Sequence, residues 1–125
     1  MDEAAIVAAL REAGAKFGYL FGSRARKTST EASDTDIAAW FGGTDETVWD
    51  RAARLPSGVD LLVLDEAPLE LAGRVAMEGR LLFDDDPPAR VSWEATTRKI
   101  WLDERLRIQE TRRIFVEGAR SRGRR

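Results

Sequence analysis

The stretch from Gly22 to Asp36 constrains this chain more than any other. A Gly-Ser pair follows directly on the apolar run Phe17-Gly18-Tyr19-Leu20-Phe21. Ten residues then separate Ser23 from Asp34, the first of two carboxylates at the head of a second apolar run. The pattern predicts a strand ending at Gly22, where glycine permits a tight turn and close backbone approach, and then a short helix from Ser23 to about Lys27. A polar loop from Thr28 to Ser33 returns the chain to a second strand, Asp34 to Phe41. Side chains alternate along a strand, so Asp34 and Asp36 share one face, with Thr35 and Ile37 on the other. The amides of Gly22 and Ser23 stand at a helix N-terminus, where backbone donors and the helix dipole favour an anion.

Composition narrows the chemistry open to these residues. The chain has no His and no Cys, which excludes disulfides, thiolate metal sites, cysteine nucleophiles and the Ser-His-Asp triad. Catalysis must rest on carboxylates, Lys, Tyr, hydroxyls or hard cations, and oxygen-ligated magnesium is the cofactor that survives. At 125 residues, 43% hydrophobic and 34% charged, the chain is expected to fold as one domain, residues 1 to 118, with a basic, disordered tail from 119 to 125. No apolar run approaches the roughly 20 residues that span a bilayer, and the start Met1-Asp2-Glu3 is acidic, so a cytoplasmic protein is expected. The net charge of −2 conceals an asymmetry, with eleven acidic and four basic side chains between residues 44 and 86 and ten basic and four acidic between 98 and 125. The two ends face different partners, or one faces the other in an oligomer.

The remaining elements follow from periodicity and breakers. Asp2 caps a helix to about Ala13 with Ile6, Leu10 and Ala13 inward, and Gly14 stops it. Thr44 or Asp45 caps a second helix to about Leu55. Val59-Asp60-Leu61-Leu62-Val63-Leu64 is the most apolar strand and is expected to be central, which makes Asp60 an informative exception. Pro68 begins a helix with Leu69, Ala72, Val75 and Ala76 inward, ended by Gly79. Arg80 to Phe83 forms a fourth strand, and one long helix is expected from Ala89 to about Gly118. The fold class is therefore α/β, a mixed sheet of about four strands covered by helices, with a long C-terminal helix.

Nucleotidyl transfer needs an attacking oxygen, an α-phosphorus in line with its leaving pyrophosphate, and positive charge for the transition state. Two divalent ions about 3.5–4 Å apart can supply that charge, and carboxylates hold such ions well. Asp34 and Asp36 are placed to bridge them, with Asp60 from a neighbouring strand as the third ligand. The candidate nucleotide contacts are Gly22, Ser23, Arg24 and Ser33, and Arg26 and Lys27 can add charge beside them.

The Gly-Ser, ten residues, Asp-x-Asp pattern resembles the signature of the polymerase-β-like nucleotidyltransferase superfamily, matched by Gly22, Ser23, Asp34 and Asp36. The strand bearing Asp60 resembles its third-carboxylate strand. The Gly-Ser-Arg-Ala-Arg continuation, the Ala67-Pro68-Leu69 helix start, the Glu78-Gly79-Arg80-Leu81-Leu82-Phe83 strand and the small size resemble the minimal nucleotidyltransferase (MNT) antitoxins of the MntA type, over about residues 3 to 115. Where these proteins often carry Gly after Ala-Arg, this chain has Lys27. The resemblance implies an antitoxin that uses ATP and two Mg2+ ions to transfer AMP to a tyrosine of a HEPN ribonuclease toxin, in a homo-oligomer or in a hetero-oligomer with that toxin.

Blander readings stand beside these. An Asp pair at a strand start serves as a turn and cap in many proteins, and only its company with Gly22-Ser23 and Asp60 argues for chemistry. Arg112-Arg113 and the arginine tail read as a solvated face, since no aromatics interleave them for base stacking. Trp93, Trp101 and Phe115 read most simply as core, with an exposed patch for a toxin or a second copy as the other reading. Two alternative functions remain, a binding-only antitoxin that occludes its toxin and a transferase with a small acceptor of the aminoglycoside kind.

Overall fold

The structure, a computed structural model, describes residues 2–22, 35–43 and 46–123, the side chains of 46 and 119–123 excepted. The elements are α1 (Glu3–Glu12), β1 (Phe17–Phe21), β2 (Thr35–Trp40), α2 (Glu46–Ala52), β3 (Val59–Val63), α3 (Leu69–Glu78), β4 (Arg80–Asp84) and α4 (Pro87–Gly123). The strands form one sheet in the order β3-β2-β1-β4. Strand β1 lies antiparallel to both β2 and β4, and β2 runs parallel to β3. This is the expected mixed α/β sheet covered by helices with a long C-terminal helix.

Alternation along the strands divides the core in two. Ile37 and Ala39 of β2 and Leu20 of β1 meet Ile6 and Leu10 of α1 and Val48 of α2 on one face. Phe17, Tyr19 and Ala38 meet Val75 of α3 on the other, with Trp93 of α4 packed against them. Phe17 stacks on Trp40 at 5.2 Å and meets Tyr19 edge-on at 5.9 Å. The Asp2 carboxylate accepts from the Ala5 amide at 3.1 Å and so caps α1 as expected.

Strand β3 departs from expectation. It is an edge strand rather than a central one, and its carboxylate Asp60 is exposed rather than buried. The apolarity that suggested a central place has another cause. Val59, Leu61 and Val63 feed one core face and Leu62 and Leu64 the other, so helices cover both sides of a strand whose outer edge carries no neighbour among the described residues. An apolar run reports coverage of the two faces and not lateral position.

Helix α4 is also longer than expected. It begins at Pro87 rather than Ala89 and its backbone stays helical past Gly118 to Gly123. Nothing between Pro88 and Gly118 breaks it, and pairs such as Lys99–Asp103 and Arg113–Glu117 support it at helical spacing. Its first half is anchored. Tyr19 donates to Glu94 at 2.6 Å, Arg90 bridges Asp84 at 2.5 Å and Glu94 at 3.1 Å, and Arg98 donates to the Ala76 carbonyl at 2.8 Å. Burial, reinforced by the Glu94 carboxylate, holds the Tyr19 phenol well above its ordinary pKa. Trp101 lies against Gly73 of α3, where any added Cβ would collide with the indole. Beyond Trp101 the helix leaves the domain, and Phe115, for which core and exposed patch were the two readings, is 70% exposed. Among the described residues no helix is long and apolar enough to cross a membrane.

Candidate active site

The register between β2 and β3 sets the site. Asp36 is the direct lateral partner of Asp60 across the parallel pair, and on its other side Asp36 pairs with Phe21 of β1. Residues in register on neighbouring strands project to the same face. The two carboxylates therefore stand side by side on the α3 and α4 side of the sheet, in step with Ala38 and Leu62. Helices α3 and α4 do not close over this end of the sheet, and a cleft of about 590 Å³ opens there, lined by Phe21, Gly22, Asp36 and Asp60 with Leu71, Arg74 and Glu78 of α3.

Gly22 ends β1 beside them with φ +76°, a conformation that L side chains rarely adopt. Space makes a second demand, since a Cβ built on Gly22 would lie 2.5 Å from Oδ2 of Asp36. The glycine thus lets the turn pass directly under the carboxylate. Asp34, Ser23, Arg24 and Ser33, together with Arg26 and Lys27, lie outside the described residues. Of the residues singled out in the sequence, the structure brings together Gly22, Asp36 and Asp60.

Among the described residues no group of three or more acidic side chains is placed to hold a metal ion. The pair that is present is a hard oxygen donor set, in a chain without the softer His and Cys ligands, and that chemistry fits magnesium. Sequence reasoning missed the α3 wall. Leu71, Arg74 and Glu78 occur at helical spacing on one stripe, but a sequence does not tell that this stripe faces a cleft.

It also missed Asp65, whose carboxylate accepts from the amides of Phe41 at 2.9 Å and of Gly42 and Gly43 at 2.8 Å each. That carboxylate ties the turn after β2 to the end of β3, so its role is to hold the two strands in register. The available signal was an Asp just past one strand and a Gly-Gly turn just past its neighbour.

Comparison with known proteins bears on the fold and the family. The family model described as Polymerase beta, Nucleotidyltransferase matches residues 5–88. No curated protein sequence matches the chain. Among solved structures, a chain of a toxin–antitoxin complex with AMP-PNP superposes with a TM-score of 0.67 at 24% identity, over 95% of this chain and 98% of that one. A chain of an MntA–HepT toxin–antitoxin structure gives 0.62 at 24% identity, over 94% and 95%. A chain from the Shewanella oneidensis complex of a tri-AMPylated HEPN toxin with its MNT antitoxin gives 0.63 at 24% identity, over 94% of each. These likenesses are of fold, and with the family match over most of its length the chain belongs to the polymerase beta nucleotidyltransferase family.

Proposed function

We propose that this protein is an MNT-type antitoxin that transfers AMP from ATP to a tyrosine of a HEPN-family toxin in the cytoplasm. The observation that carries the reading is the pairing of Asp36 with Asp60 at the mouth of a cleft beside the Gly22 turn. Support comes from the family match and from the likeness to chains of complexes that hold AMP-PNP or an AMPylated toxin.

In this reading Asp34, Asp36 and Asp60 hold two magnesium ions, and Gly22, Ser23, Arg24 and Ser33 receive the nucleotide. When bound, the ions supply the positive charge that offsets the negative charge developing at the α-phosphate. Gly22 leaves room for the phosphates to approach the backbone. Asp60, at the exposed edge of the sheet, accepts the proton of the incoming phenol. The phenolic oxygen bonds to the α-phosphorus, the bond to the β-phosphate oxygen breaks, and pyrophosphate leaves.

The acceptor must come from elsewhere. The chain's one tyrosine, Tyr19, is 2% exposed with its hydroxyl held by Glu94. Incubation with α-labelled ATP, magnesium and the product of the neighbouring gene should label tyrosine on that partner, and Asp36→Asn should abolish the label. No label on a folded partner with wild-type protein would defeat the proposal. Protection of cells by the Asp36→Asn variant at normal stoichiometry would favour neutralisation by binding alone.

A further inference from the structure

The wall of the cleft carries a residue that the carboxylate chemistry does not use. Helix α3 turns Leu71, Arg74 and Glu78 toward the Asp36–Asp60 pair. Among the described residues lining the cleft, the charged ones are three acids, Asp36, Asp60 and Glu78, and one cation, Arg74. A nucleoside triphosphate brings further negative charge into that space. Metal ions held by the carboxylates offset part of it, and phosphate oxygens away from the metals can take a positively charged donor from the α3 side as well as from the Gly22 side.

Arg74 is placed and free to serve. Among the described residues its ion pair is a single 3.5 Å contact to Glu70, one helical turn back, with the two side chains 61% and 71% exposed. A pair so exposed contributes little, because water and salt screen it, so the guanidinium can leave it at small cost. The backbone beneath does not share that freedom. Gly73 lies under the Trp101 indole, and Arg98 holds the Ala76 carbonyl, so α4 fixes the turn of α3 from which Arg74 projects. A planar guanidinium on a fixed helix suits two oxygens of one phosphate group better than a point charge does.

We propose that Arg74 is a nucleotide-binding residue of this cleft, whose guanidinium leaves Glu70 to hold phosphate oxygens of the bound nucleoside triphosphate. The proposal rests on the nucleotidyltransferase reading above and adds to it a contact on the helix opposite the Gly22 turn. Leu71, one turn earlier on the same stripe, gives the contact an apolar flank.

The test is equilibrium binding of AMP-PNP with magnesium to the full chain without any partner, by calorimetry, alongside the KM for the partner protein in the transfer reaction. Arg74→Gln should weaken AMP-PNP binding about 10- to 100-fold, the usual range for a charge-assisted hydrogen bond to phosphate. Arg74→Lys should recover only part of the loss, because the ammonium cannot bind two oxygens in one plane. Glu70→Gln should bind as well as the wild type or a few-fold better, since the surface competitor is gone. None of these changes should move the KM for the partner. AMP-PNP affinity unchanged in Arg74→Gln would overturn the proposal, and so would a raised partner KM at unchanged AMP-PNP affinity, which would make Arg74 an acceptor contact. Failure of the wild type itself to bind AMP-PNP would overturn the nucleotidyltransferase reading as well, so the two failures are distinguishable. Arg74 is exposed, and melting curves of the variants should overlay the wild type.

Discussion

Gly22→Ala separates the two demands that the structure makes on one residue. The first is conformational. At φ +76° an alanine costs about 1–2 kcal/mol relative to glycine, which for a domain of this size lowers Tm by several degrees. The second is spatial. The new Cβ would stand 2.5 Å from Asp36 Oδ2, where ordinary contact begins near 3.4 Å, so the carboxylate must retreat by about 0.9 Å. A displacement of about 1 Å at a catalytic group costs on the order of 100-fold in rate.

Gly14→Ala supplies the control. Gly14 also has positive φ, +99°, but its nearest neighbour, an Arg51 nitrogen, would stand at an ordinary 3.7 Å. Both variants should lose similar stability in thermal melts, and only Gly22→Ala should lose AMP transfer by about two orders of magnitude. Equal transfer rates in the two variants would refute the claim that the Gly22 turn sets the position of a catalytic Asp36.

Three further outcomes follow from the packing. Asp60→Asn should abolish magnesium-dependent transfer while leaving Tm level or raised, since it removes one of two like charges in register; a large loss of stability would make Asp60 structural. Gly73→Ala should destabilise by about 1–3 kcal/mol through overpacking against Trp101, read by thermal melts and tryptophan fluorescence. Tyr19→Phe should cost about 1 kcal/mol at neutral pH through the lost hydrogen bond to Glu94. Because the folded phenol's pKa is raised, the folded state holds its proton where the unfolded chain releases it. The wild type should therefore lose stability as pH rises above about 10, and Tyr19→Phe should lack that part of the alkaline decline.

Much of the fold was legible because local signals agreed with tertiary demands. Asp2 caps the helix it was expected to cap, Gly14 and Gly22 have the positive φ that chain reversal there requires, and the inward residues of α3, Ala72, Val75 and Ala76, are buried. The lateral order of strands was not legible. Periodicity reports which faces are covered, so an edge strand under helices on both sides, as β3 is, reads like a central one. The end of α4 was misread for a related reason. Charge pairs within the helix carry it past the domain without a core, and the apolar Phe115 then marks a surface. In the candidate site, spacing from Gly22-Ser23 pointed to Asp36 and a charge in an apolar strand pointed to Asp60, but their direct pairing depends on the parallel register. Arg74 acquires meaning only from the cleft that its helix walls.

The most direct measurement is the mass of the HEPN partner after incubation with ATP and magnesium, with the site located by fragmentation. The wild-type protein should add whole AMP units to tyrosine and Asp36→Asn or Asp60→Asn none, with this protein's own mass unchanged. A partner that stays unmodified while the two proteins still form a neutral complex would contradict the transferase reading, and would leave the cleft as a remnant of chemistry that this chain no longer performs.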